Sequence, residues 1–344
     1  MKKWKKIALF RPLNLGNMLA ATPLLRALRS HLPSSQIDLI ALPWMKGWEK
    51  RFDTIDNIIP FPGYPGLPEI NPDIKKIPGF IKKMQKEKYD LIIQAHSNGL
   101  ITNPLIEVFA ANELAGFYTK FSYKPKGTFI PYPEKVHEIK KLKKITDALG
   151  IPSKKELEFP IMTVDVQNKL KLQKKYSLKK SRYIIIHTGA SDLKRSWEKD
   201  KFAELSDNLL DTGFDIVLTG SIEEKNRNKS IKKLMKSTPI DLTGITDIGT
   251  LATLLEDAAL LVSNNSGVFQ LAQSTHTPSV TLFSLYTELN KWDSKNMKIH
   301  SLLFQRDTSQ LDVLSHIYKQ LQRNVSKYKT PNFEKNANHK IQNS

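Results

Sequence analysis

Four short loops carry residue types that could do chemistry, and each follows an apolar run of strand character. In "HTGASDLKRSW", His187–Trp197, the small residues Thr188, Gly189, Ala190 and Ser191 let a ligand approach the backbone closely, and Lys194 and Arg195 add two cations. Small residues with paired cations after a buried strand suit a diphosphate. They also suit a helix start with solvated cations. In "SNNSGVFQLA", Asn264, Asn265 and Ser266 precede Gly267. Capping of the following helix accounts for one of these polar side chains, and the others suit ligand hydroxyls. In "QAHSNG", His96 stands at a strand end, either as a satisfied hydrogen-bonding residue or as a proton acceptor. The fourth loop, "NLGNMLAATPLLRAL", offers a glycine turn at Gly16 and a helix N-terminus with free N–H groups. Its polar residues, Asn14 and Asn17, are neutral amides where a reaction would call for an ionisable group.

The elements around these loops alternate between short apolar strands and amphipathic helices. "KIALF", "QIDLIAL" and "YDLIIQAH" read as strands, with helices in "MLAATPLLRALRSHL", ending at Pro33, and "PGFIKKMQKEK". A second series follows: "YIIIHTG", "DIVLTGS", "IDLTG", "ALLVSNNSG" and "SVTLF" as strands, separated by four helical segments. Such alternation predicts parallel sheets covered on both faces, here two Rossmann-like, doubly wound halves with a cleft between them. The first is expected over residues 1–160 and the second over 161–324, with one helix after Thr163 in the link and a loose polar tail over 325–344. Between Pro60 and Pro78 the chain is too rich in proline and glycine for a helix or a central strand. Its Phe61 and Tyr64 give this long loop apolar grip, for a ligand or for its own packing.

Composition narrows the classes. At 344 residues with 40% hydrophobic content the chain can bury two cores. The absence of cysteine excludes disulfides, thiolate metal sites and thiol nucleophiles, and fits a reducing cytoplasm. No apolar run reaches the roughly 18 residues of a membrane span, and "IALF" after "MKKWKK" is too short for a signal h-region. The net charge of +19 suits an anionic partner or a generally lysine-rich surface. No nucleic-acid module accompanies it, so nucleic acid is not an expected partner.

The order and spacing of these loops resemble glycosyltransferase family 9, the group that includes the ADP-heptose:lipopolysaccharide heptosyltransferases. "LGNMLAATPLLRALRSHLPSSQIDLI" is similar to the family's opening strand–GD–helix segment, and "HTGASDLKRSWEKDKFAEL" to its HPGAS…KRW…F region. "VLTGSIEEK" is similar to its GS-x-x-E segment, and the stretch from "LTGITD" through "NNSGVFQLA" to "TPSVTLF" to its NDSG-x-x-H-x-A…TP…LF pattern. The resemblance implies an α/β GT-B fold and an inverting, metal-independent transfer that needs no cofactor beyond its nucleotide-sugar substrate, ADP-linked. A glycolipid or oligosaccharide acceptor is implied too, as is peripheral attachment to the cytoplasmic face of the inner membrane. Carried over by position, Lys194 and Arg195 face the donor phosphates beside Thr188 and Gly189. Glu224 approaches the nucleoside, Ser266 and Gly267 complete the donor turn, and Asn265 and Gln270 stand where donor-sugar contacts are expected. Asn14, Gly16, Phe61 and Tyr64 fall on the acceptor side.

Three positions depart from the family pattern. Its GD acid, the general base, falls on Asn17, its NDSG acid on Asn265 and its downstream histidine on Gln270. An amide cannot act as a base at neutral pH, and losing base catalysis costs about 10²–10⁴-fold in rate. Two expectations follow: a degenerate member that binds nucleotide-sugar or glycan without turnover, or an enzyme whose base has moved, with His96 as the candidate.

Overall fold

Strand β1 (Lys6–Phe10) lies in the middle of a sheet, and Ile7 through Phe10 are all fully buried. The computed structural model describes residues 4–154, 156–190, 196–284, 298–305 and 308–323. The chain divides into two units, Met1–Pro160 and Ile161–Ser344. The expected tail, 325–344, lies outside the described residues.

In the first unit β1 pairs in parallel with β2 (Gln36–Ala41) on one side and β4 (Leu91–Gln94) on the other. Strands β3 (Asn57–Pro60), β5 (Glu113–Tyr118) and β6 (Thr128–Pro131) complete the order β3-β2-β1-β4-β5-β6, all parallel. The helices are α1 (Leu15–Leu19), α2 (Thr22–His31), α3 (Ile77–Glu87), α4 (Thr102–Glu107) and α5 (Glu138–Ala148). The single helix expected over "MLAATPLLRALRSHL" is in fact two. Pro23 sits in the first turn of α2, where its missing N–H costs nothing, but its ring would clash with the carbonyl four residues back in a continuous helix. Gly16 is likewise not a turn residue: it lies inside α1, and its carbonyl accepts from the Ala20 N–H.

The second unit repeats the plan. Its strands are β7 (Tyr183–His187), β8 (Asp215–Thr219), β9 (Ile240–Asp241), β10 (Leu260–Asn264), β11 (Ser279–Phe283) and β12 (His300–Phe304). They run parallel in the order β12-β11-β10-β7-β8-β9. The helices are α6 (Thr163–Tyr176), α7 (Lys199–Leu210), α8 (Lys225–Leu234), α9 (Ile248–Asp257), α10 (Gly267–Ser274) and α11 (Gln310–Gln322). One face of the sheet, with Ile184, Ile186, Leu218 and Val262, packs against apolar side chains of α7, α8 and α11. Both sheets follow a doubly wound order, which reverses once: between β1 and β4, and between β7 and β10. Ligands of such sheets bind at that switch point, beyond the carboxyl ends of the strands.

The second unit also carries an acid-sensitive element. His300 opens β12, is almost fully buried, and pairs its Nδ1 with the Ser279 hydroxyl at 2.8 Å. Burial, with a smaller contribution from His276, pushes its pKa down to about 4. Because the folded value lies below the unfolded one, the stabilisation is complete above pH 6.5 and is lost as the pH falls towards 4. The loss across that window is about 3 kcal/mol. Chemical denaturation at pH 7 and at pH 4.5 should therefore show a smaller drop for His300→Gln than for the wild type; equal drops would remove His300 as the cause.

Candidate functional site

At the β7/β10 switch point two side chains brace the loop that leaves β7. Asn264, the last residue of β10, is fully buried; its Nδ2 donates to the Thr188 carbonyl at 2.7 Å and its Oδ1 accepts from the Trp197 N–H at 3.0 Å. Arg227, on α8, repeats the pattern: Nε donates to the Thr188 carbonyl at 3.2 Å and Nη2 to the Trp197 carbonyl at 2.5 Å. The segment between Thr188 and Trp197 is thus held at both ends by the same two residues. Lys194 and Arg195 fall within it and lie outside the described residues. The Thr188 hydroxyl donates to Asn228, whose Nδ2 reaches the Thr219 carbonyl and the Thr243 hydroxyl, so both buried side chains are hydrogen-bonded.

Glu224 reaches this loop from the other side. It ends the 3-10 turn Ile222–Glu224, where its carboxylate accepts from the Ser221 N–H at 2.7 Å and caps the turn. A Cβ on Gly189 would stand 1.7 Å from Glu224 Oε1, so the missing side chain at 189 is what admits the carboxylate. The field is mixed. Burial lowers the pKa of Arg227 and of His187, and Glu224 opposes both shifts. His187 accordingly stays neutral beside Thr219, its Nδ1 3.3 Å from that hydroxyl, and is a buried sheet residue rather than a charge on a ligand.

Beyond β10, Ser266 is the N-cap of α10, yet its hydroxyl makes no capping bond and has no partner among the described residues. Gly267 is the first helical residue, the Asn265 N–H donates to the Leu282 carbonyl at 3.0 Å, and Gln270 is buried in the second turn. Thr188, Gly189, Glu224 and, through Asn264, the Asn265–Gly267 turn therefore belong to one constellation at the switch point.

The first unit centres on a residue that the sequence reading passed over. Arg11 follows β1 directly and its side chain is completely buried. Its Nε donates to the Asn17 carbonyl at 2.9 Å, Nη1 to the Ala95 carbonyl, and Nη2 to Glu138 at 3.0 Å. One guanidinium, itself just after β1, thus ties α1 to the loop after β4 and to the start of α5. Buried Lys141 adds a second cation, 3.3 Å from Glu138 and 2.9 Å from the Tyr132 hydroxyl. Burial alone would push Glu138 up; Arg11 and Lys141 together outweigh it and hold the carboxyl below its usual range. Burial lowers Arg11, but a guanidinium keeps its proton at neutral pH.

Around this brace the expected acceptor-side residues separate. Asn14 is exposed at the N-cap of α1 and makes no capping bond, while Asn17 is half-buried one turn along with its amide unbonded among the described residues. Phe61 does not offer grip to a ligand: it is only 2% exposed, edge-on to Phe10 at 5.2 Å and to Phe80 at 5.6 Å. A proline-rich segment with few backbone bonds docks by burying its aromatic. Tyr64 is half-buried against the same core. His96, the candidate relocated base, is enclosed in the first unit. Its side chain is 3% exposed, the Phe10 ring lies tilted to it at 6.0 Å, and both ring nitrogens are sealed from solvent. Nε2 lies 3.3 Å from the carboxylate of Glu69, and neither ring nitrogen has a hydrogen-bond partner among the described residues. Among the described residues no three histidine or acidic side chains converge to hold a metal ion, and no helix is long and apolar enough to cross a membrane.

The model of glycosyltransferase family 9 (heptosyltransferase) matches residues 78–311, about two thirds of the chain. The chain belongs to glycosyltransferase family 9. This family 9 protein is 24% identical to lipopolysaccharide heptosyltransferase 3 of Escherichia coli, over 78% of its own length and 79% of the relative's. It is also 24% identical to lipooligosaccharide heptosyltransferase 2 of Haemophilus ducreyi, over 82% and 83%. Its fold is shared with a family 9 glycosyltransferase of Veillonella parvula, with a TM-score of 0.74, 19% identity, and 99% and 98% of the two chains covered. The structure of E. coli ADP-heptose lps heptosyltransferase II gives 0.73, 19%, and 93% and 99%. Two Rossmann-like sheets in one chain are thus the GT-B fold of this family.

Proposed function

We propose that this family 9 protein transfers heptose from ADP-heptose to a saccharide acceptor of the lipopolysaccharide core, with inversion and without a metal ion. The observation that carries this reading is the double brace of the loop containing Lys194 and Arg195. Asn264 and Arg227 fix Thr188 and Trp197, the two ends between which the sequence carries Lys194 and Arg195, two cations suited to a diphosphate. The relatives' names supply the sugar and the acceptor class. In the reaction an acceptor hydroxyl attacks the anomeric carbon, a new C–O bond forms, and the bond to the diphosphate breaks with its electron pair leaving on ADP. The cations stabilise that developing charge. The hydroxyl proton has no base at Asn17 and passes to solvent, which makes turnover slow. The reading places the reaction at the cytoplasmic face of the inner membrane.

The amide at Asn17 and the sealed nitrogens of His96 favour a second reading, a protein that holds the nucleotide-sugar without transfer. Incubation with ADP-heptose and heptose-deficient lipopolysaccharide separates the two. Acceptor-dependent release of ADP supports transfer, whereas ADP-heptose binding with no release supports the holder. Absence of both removes both.

The donor pocket makes a further prediction. Gly189→Ala should eject the Glu224 carboxylate, the movable partner in that contact, and weaken ADP binding about tenfold, as Glu224→Ala should. The double variant should then be no weaker than either single one. Additive losses in calorimetry would show that Gly189 and Glu224 act separately.

A further inference from the structure

Among the described residues one tryptophan is exposed. Trp4 and Trp197 are buried and Trp48 is half-buried, whereas Trp44 is 38% exposed. It follows the carboxyl end of β2, the neighbour of β1, and so stands on the edge where ligands of a doubly wound sheet bind. Two 3-10 turns, Pro43–Met45 and Trp48–Lys50, present it, with Gly47 between them at a left-handed φ of +96° that side chains disfavour. Met45, 1% exposed, anchors the first turn in the core, and its N–H donates to the Leu42 carbonyl at 3.1 Å. The ring is held as firmly as the backbone. Trp48 meets Trp44 at a right angle with centroids 5.0 Å apart, stacks on Phe52 at 6.0 Å and stands edge-on to Phe159 at 5.7 Å. Arg51 closes the pile: its guanidinium lies 4.7 Å over the Phe159 ring, and Nη1 donates to the Pro160 carbonyl at 2.7 Å. Met18 and Leu19 of α1 line one small pocket with Met45, Trp48 and Phe52, so the pile rests against the helix that carries Asn17.

A perpendicular contact takes at most one face of Trp44, which leaves flat indole surface to solvent. A pyranose carries C–H bonds on the faces of its ring and hydroxyls around its rim. The faces stack on an indole while the rim stays hydrated, and a ring fixed in advance loses little freedom when the sugar arrives. A nucleobase would stack as well, but the constellation proposed for the nucleotide belongs to the second unit. We propose that Trp44 is a stacking platform for a sugar ring of the acceptor and helps to set which saccharide the first unit accepts. This rests on the transferase reading. Binding of the saccharide is measured without donor and without turnover, so its failure is distinguishable from failure of transfer, which acceptor-dependent release of ADP reports.

The probe is the de-acylated core oligosaccharide of heptose-deficient lipopolysaccharide, titrated by calorimetry into the full chain. The wild type is expected to bind it. Trp44→Ala should weaken that binding about tenfold, and Trp44→Phe, which keeps an aromatic face, by no more than about threefold. ADP affinity should be the same in all three proteins. Their melting temperatures should agree within about 2 °C, since Trp48, Phe52 and Phe159 keep their mutual contacts. No binding in the wild type, equal affinity in the wild type and Trp44→Ala, or a phenylalanine variant as weak as the alanine one would overturn the proposal. A matching loss of ADP affinity would mark a nucleobase platform and overturn it as well. So would a dependence on Trp44 seen only with acylated lipopolysaccharide, which would mark contact with lipid.

Discussion

Asn17→Asp is expected to raise acceptor-dependent turnover by about 10²–10⁴-fold, the usual contribution of a positioned general base. The position is prepared for a carboxylate. Arg11 grips the Asn17 carbonyl at 2.9 Å, so the backbone of α1 at this residue is fixed before any substrate arrives. The side chain is half-buried and unbonded among the described residues, and an aspartate is nearly isosteric with it. Of the described neighbours, His96 is sealed from solvent and the Glu138 carboxylate is committed to Arg11 and Lys141. The gain should appear in kcat, with donor affinity unchanged, because the donor residues belong to the second unit. A wild-type rate that Asn17→Asp leaves unaltered would mean that the proton leaves by a route that does not pass this residue.

Arg11→Met is expected to cost about 3–5 kcal/mol of the first unit's stability, the range for breaking a buried ion pair by removing one partner. The guanidinium serves two backbone carbonyls and one carboxylate, all inside the protein. Methionine fills much of the volume but meets none of these acceptors, and Lys141 alone must then neutralise Glu138. The pH dependence gives this a signature. Glu138 is held below its ordinary range in the folded state, so its contribution is present above about pH 4.5 and is lost as the pH falls through the lowered value. The variant should lose much of that dependence. Turnover should fall with stability, since the same guanidinium aligns α1 with the loop after β4. A melting temperature within about 2 °C of the wild type would contradict the assigned role.

Much of the fold was legible because its strands are parallel and buried on both faces. β1, β2, β4, β7, β8, β10 and β11 are short apolar runs, the form such strands take in sequence. The strands that escaped notice lack that signature. β3 holds Asn57 and Pro60 at one edge of its sheet, β6 is four residues ending in proline, and β5 carries Glu113 and Gly116. β12 and α11 carry no clear signature either, and the lysines of α5 mask its apolar positions, although Leu142 and Ile145 are buried. At the site, residue types were informative and partners were not. Thr188 and Gly189 were legible as small residues after a strand, and Glu224 through the family resemblance of its segment. The Asn264 and Arg227 brace joins positions 67 and 30 residues apart from Trp197, and Arg11 meets Glu138 across 127 residues. No local pattern carries such pairings. Phe61 misled because an aromatic in a loop looks available in sequence, and only packing shows that it is spent on the core.

The most direct measurement is a calorimetric titration of ADP into the wild type and into Lys194→Ala. A nucleotide-sugar site built on the braced loop predicts a single-site binding heat in the wild type and an affinity at least tenfold weaker in the variant, the worth of one charge-assisted phosphate contact. No heat in the wild type, or the same affinity in both proteins, would contradict the assignment of the donor site.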